Sequence, residues 1–138
     1  MNSGTILYDK EFQFSNNGVI IDKLIIVLCE FGINFLVLST TSQQHSKNKT
    51  AGCQIKDRQP NYFLPQGSCW FNKDTWVELS EFHEMDFYIL EQKKADRIVL
   101  HRSVLPTELM KDIIKCALTS EDIEGFYLKE LEKTYNKM

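Results

Sequence analysis

The chain has 138 residues, a formal net charge of −3, and 43% hydrophobic against 25% charged residues, an ordinary balance for one domain that buries its own core. No run approaches the roughly 20 apolar residues of a membrane-crossing helix, and the acidic total argues against a wholesale nucleic-acid binder while leaving room for a local basic patch. The opening Met1-Asn2-Ser3-Gly4 has no basic segment leading into an apolar one, so the expectation is a cytoplasmic protein, a single domain over residues 1–138 with no membrane association.

Residues 4–14 read as a strand, with Phe12 and Phe14 alternating around Gln13. Asn16-Asn17-Gly18 is a turn signal, because Asn and Gly tolerate positive φ. Val19 to Cys29 reads as a second strand and 33–41 as a third, joined by Glu30-Phe31-Gly32-Ile33-Asn34 into an antiparallel hairpin. The near-continuous apolar runs 24–28 and 35–38 predict strands covered on both faces. Residues 42–61 form a long polar loop, a length that often goes with function, with a short strand near Gly52–Ile55. Tyr62-Phe63-Leu64 leads into a turn at Pro65-Gln66-Gly67; strands are expected at Cys69–Phe71 and Thr75–Leu79, a helical turn or bend at Ser80–Glu84, and a hairpin pairing Phe87–Leu90 with Arg97–Leu100. Pro106-Thr107-Glu108 opens a helix capped by Thr107, with Leu109, Ile113, Ile114, Ala117 and Leu118 at helical spacing. A second helix starts near Ser120 with acids in its first turn. The pattern predicts a mainly β, α+β fold: a small antiparallel β-barrel over 4–102 followed by C-terminal helices over 106–136.

The four cysteines show no C-x-x-C pair, which disfavours a structural zinc site. Cys29 and Cys116 lie in apolar runs and read as buried thiols, and Cys53 and Cys69 as partly exposed. Between Ser42 and Asn61 four basic residues, Lys47, Lys49, Lys56 and Arg58, face one acid, Asp57. Such a loop can dock a polyanion, or simply be a solvated segment.

Four stretches together resemble the MazF/PemK-type toxins of bacterial toxin–antitoxin modules: Gly4-Thr5-Ile6-Leu7, Lys23-Leu24-Ile25-Ile26-Val27-Leu28, Val37-Leu38-Ser39-Thr40-Thr41-Ser42, and Thr75-Trp76-Val77-Glu78-Leu79-Ser80-Glu81, followed by the helix at 106–118. The resemblance implies an SH3-like barrel that cleaves single-stranded RNA without a metal or other cofactor. It also implies a homodimer, and an antitoxin protein that occupies the RNA groove. The chain departs from the family where chemistry is expected. Lys23 and Leu24 stand for an arginine-proline pair, Ser80-Glu81 for an aspartate-glutamine pair, and Glu78 for a basic residue. A lysine point charge does not replace a bidentate arginine on a phosphorane.

On this reading Lys23 holds the scissile phosphate and Thr41 orients the nucleophile. His83 transfers a proton, since its ordinary pKa lies near neutrality, and Glu81 or Asp22 supplies the opposing group. His45 and His101 come second. Ser42, Ser80, Lys47, Lys49, Lys56 and Arg58 are expected along the RNA backbone. Trp70, flanked by polar loops, is expected to stack a base in preference to Trp76. Each has a plainer reading: Lys23 as an edge-strand charge, the hydroxyls as turn caps, the aromatics as core. The rival to the enzyme is the same barrel with its catalytic groups lost, binding a protein or RNA without cutting.

Overall fold

The computed structural model describes residues 1–14 and 17–138. Eight strands and three helices follow one another: β1 (Thr5–Gln13), β2 (Ile20–Phe31), β3 (Asn34–Thr41), β4 (Gly52–Gln54), β5 (Asn61–Leu64), β6 (Thr75–Glu78), β7 (His83–Asp86), α1 (Phe87–Ala95), β8 (Val99–Val104), α2 (Thr107–Leu118) and α3 (Gly125–Lys137). The fold is mainly β, α+β in class, with helices at the C-terminal end, as its patterning predicts; α1 is an addition to that pattern. Pairing is antiparallel throughout, in the order β4-β5-β6-β3-β2-β1-β8. The path is open: among the described residues no ladder joins β4 to β8 to close a barrel. The expected turn Asn16-Asn17-Gly18 lies partly outside the described residues.

β3 belongs to two sheets. One edge pairs with β2. The other edge pairs with β7 over Asn34–Val37 and with β6 at Thr40 and Thr41. Side-chain alternation then divides the apolar runs between two cores. Ile6, Ile26, Leu28, Leu36 and Leu38 face β5, β6, α2 and α3, whereas Leu7, Ile25, Val27, Phe35 and Val37 face Leu90 of α1. Burial on both faces is why β2 and β3 lack polar alternation. Each such fully buried side chain stabilises the fold by about 1.5–3 kcal/mol. Gly4 lets α2 close on this core. Its φ is +93°, and a Cβ there would lie 2.6 Å from Met110 Cγ.

Several local expectations are corrected. Phe87–Ala95 is a helix, not a strand, because the Asp86 carboxylate accepts from the N–H groups of Tyr88 and Ile89 at 2.8 and 3.1 Å. That cap and the following Glu-Gln-Lys-Lys-Ala outweigh the β preference of Phe-Tyr-Ile. Cys69–Phe71 forms no strand. The helical turn or bend expected at Ser80–Glu84 gives way at His83 to β7, His83–Asp86. Thr107 is the first helical residue rather than the cap, and Pro106 precedes it without a side-chain cap bond. The last helix begins at Gly125, past the acids at 121–122. Cys116 is not a free thiol: it is bonded to Cys53, joining α2 to the edge strand β4 with a Cα–Cα distance of 5.6 Å. The two lie 63 residues apart, so only the packing of α2 on β4 brings them together. Cys29 and Cys69 are free thiols, Cys29 buried and Cys69 half-buried. No helix among the described residues is long and apolar enough to cross a membrane.

Candidate functional site

Where β2 and β3 part from one another, beyond the Ile25–Ser39 pair, they open a cleft of about 830 Å³, walled by the start of the 42–61 loop and by residues 70–75. Lys23 of β2 stands in it. Its ammonium donates to Thr40 O at 3.0 Å, lies 3.5 Å from Glu78 Oε1 and sits 5.7 Å from the Phe14 ring centre. The Ser39 hydroxyl donates to the same Glu78 oxygen at 3.3 Å. Lys23 and Glu78 therefore form a fixed, half-buried ion pair at the cleft wall. Thr40 is used structurally, its hydroxyl donating to Leu24 O at 2.7 Å, and Thr41 Oγ1 accepts from Gln43 N–H at 3.1 Å. Ser42 is exposed at the end of this row.

The 42–61 loop is knitted rather than loose. Asn48 O accepts from both Gln54 Nε2 at 2.8 Å and Trp76 Nε1 at 2.9 Å, Gln54 Nε2 also donates to Asn61 Oδ1, and Asp57 accepts from Asn48 N–H at 3.0 Å. The Asn48 N–H above all, with the Asn48 and Asn61 side-chain amides, holds the Asp57 carboxyl below its ordinary range against the opposing effect of burial. His45 and Ser46 adopt positive φ of 43° and 65°, a tight reversal that folds Lys47 back under the loop. Lys47 is only 4% exposed. Its ammonium points at the carbonyls of Gln43 and Gln44 at 3.5 and 3.4 Å, and burial lowers its pKa against the opposing pull of Glu78.

The cleft thus unites Lys23, Thr41, Ser42, Lys47 and Trp70 of the residues expected to contact RNA, together with His45. Trp70 is 42% exposed and packs edge-on against buried Phe71 at 5.3 Å. Trp76 is core, stacked near Phe63 at 4.9 Å. Ser80, Glu81, His83, Lys49, Lys56 and Arg58 do not line the cleft. Lys49 is paired with Asp74 at 2.9 Å, and this pair, with the Gln66 N–H, depresses the Asp74 pKa. Lys56 and Arg58 are exposed elsewhere on the loop. Tyr8, Gln59, Asn72 and Lys73, which the sequence pattern does not single out, also line it. Tyr8 was hidden in an apolar strand pattern. Only its pairing opposite Leu24 places it beside Lys23.

His83 and Glu81 lie apart from this cleft. The imidazole is 2% exposed, edge-on to Phe12 and Phe14 at 4.9 and 5.9 Å, with Nδ1 3.6 Å from Glu81 Oε1. Burial lowers its pKa, against the pull of Glu81 and Glu78. A neutral ring is the result, beside a smaller pocket of about 350 Å³ that also contains Asp9, Glu11, Asp86 and Lys93.

No protein-family model and no curated protein matches the chain.

Proposed function

We propose that the chain is a toxin-like, metal-independent endoribonuclease that takes single-stranded RNA in the cleft between β3 and residues 70–75. The observation that supports this reading is the gathering of Lys23, Thr41, Ser42, Lys47 and Trp70 around one open cleft, although they span 48 sequence positions. An exposed indole offers a base its face, and hydroxyls and ammonium groups suit the backbone. Glu81 and His83 lie outside the cleft, and Asp22, which lines it, accepts the Tyr8 hydroxyl, so proton transfer falls to Glu78 and His45, which line it too. Glu78 accepts the 2′-hydroxyl proton as that oxygen attacks the adjacent phosphorus. His45 returns a proton to the departing 5′-oxygen, leaving a 2′,3′-cyclic phosphate. Lys23 faces the charge that grows on the phosphorane. A homodimer, a cytoplasmic setting and an antitoxin protein over the same cleft belong to this reading. In a reducing cytoplasm Cys53 and Cys116 would stand as thiols.

A second reading has its own support. Lys23 is already neutralised by Glu78, and no arginine lines the cleft. Such a site suits RNA binding without cleavage.

The deciding experiment is digestion of a long single-stranded RNA in EDTA by the wild type and by Lys23→Ala, His45→Ala and His83→Ala. The enzyme reading expects discrete fragments with cyclic phosphate ends, a loss of roughly 10²–10³-fold in the first two variants, and retained cutting by folded His83→Ala. Intact RNA with a folded wild type would remove the enzyme reading and leave binding alone.

A further inference from the structure

Beside the cleft, Tyr8 pairs with Leu24 of β2 on one side and Leu100 of β8 on the other. Its hydroxyl donates to Asp22 Oδ2 at 2.9 Å, and the Arg102 guanidinium lies over its ring at 5.5 Å. The β1–β8 ladder is irregular at this point. Ile6 faces Ser103 and Leu7 faces His101, so Arg102 is the extra residue of a bulge. A bulge re-aims one side chain out of the regular alternation, and here it aims the guanidinium over the ring of Tyr8, which lines the cleft while Arg102 itself lies just outside it.

The cations differ in what remains for a ligand. Lys23 and Lys47 are directed at protein carbonyls and Lys23 also at Glu78. Arg102 is exposed and, among the described residues, forms no ion pair or hydrogen bond through its side chain. Its planar fork is held over an aromatic face with its donors unspent, the arrangement suited to a phosphodiester. The exposed Asp22 carboxylate beside the Tyr8 hydroxyl repels a phosphate, so a strand leaving the cleft passes on the Arg102 side.

We propose that single-stranded RNA does not end in the cleft but runs on across Tyr8 to a phosphate subsite at Arg102, so that the ligand recognised is a polymer several nucleotides long. The inference rests on the RNA reading of the cleft and adds to it a second anchor and a direction.

The test uses 2′-O-methyl RNA, which has no free nucleophile, as a trinucleotide and as a dodecamer, titrated over 50–300 mM salt. For the dodecamer, Arg102→Ala should weaken binding about tenfold and reduce the slope of log affinity against log salt by about 0.7, the loss of one phosphate contact on a single strand. The trinucleotide should bind both proteins alike, and Arg102→Lys should restore the slope but not the full affinity. Wild-type protein that binds neither oligomer would overturn the RNA reading itself. Wild-type binding that Arg102→Ala leaves unchanged for the dodecamer, or lowers equally for both lengths, would overturn the Arg102 subsite alone.

Discussion

Asp9 is fully buried in β1, and its carboxylate meets Lys93 of α1 at 2.6 Å while also accepting the Glu11 N–H at 3.0 Å. A buried carboxylate stripped of its partner costs far more than the intact pair returns. Lys93→Met should therefore destabilise by about 3–5 kcal/mol, read as a lower urea midpoint. Asp9→Leu combined with Lys93→Met should recover most of the loss. His83 makes a second prediction. Its folded pKa lies below the ordinary 6.5, so the unfolded chain binds the proton first. The stabilisation of the neutral ring is fully present above pH 6.5 and declines as the pH falls from there towards the folded pKa. Comparing urea midpoints at pH 7.5 and 5.5, His83→Gln should show a smaller drop than wild type. Neither group announces itself in sequence. Asp9 and Lys93 lie 84 positions apart, and His83 looks like any surface histidine until β7 pairs with β3 and the Phe12 and Phe14 rings close over it.

At the scale of elements, what the sequence made legible is what local physics decides. The two apolar runs of β2 and β3, and the 3.6-residue stripe of α2, are each a property of one segment. Their doubly covered burial follows from composition alone. The helix at Phe87–Ala95 is not legible in the sequence because its apolar residues do not form a stripe. Only Leu90 is buried, while Phe87, Tyr88 and Ile89 face outward, so no helical period was present to find. The Cys53–Cys116 bridge is another element-scale contact, fastening β4 to α2. Closing a loop of this length restricts the unfolded chain enough to contribute about 4 kcal/mol. Reduction with dithiothreitol, or Cys53→Ser, should lower the denaturation midpoint accordingly. Equal midpoints for the oxidised and reduced protein would show that the edge strand is held by its ladder and by the Gln54–Asn48–Asn61 hydrogen bonds instead.

At the scale of the whole molecule, the cleft was half legible. Hydroxyls at the end of β3 and a basic loop after it were visible as a pattern, and both reach the cleft. The allocation of the charges was not. Lys47 turns inward, Lys49 is spent on Asp74, and Lys56 and Arg58 do not join the lining. A count of basic residues therefore overstates the field at the site. The separation of Glu81 and His83 from Lys23 is likewise a global fact, and it follows from how β6 passes into β7. Between Val77, opposite Thr40, and His83, opposite Val37, the outgoing chain covers six positions while β3 covers three. The surplus is odd, and so the connection at 79–82 acts like a frame in a coding sequence. With the β7–β3 register kept, one residue more or fewer there would exchange the two faces, turning His83 to the side where Glu84 now meets Tyr127 of α3 and bringing a neighbouring residue against Phe12, whereas a change of two would leave the pattern readable. Length is thus as much a part of this segment's information as the identity of its residues.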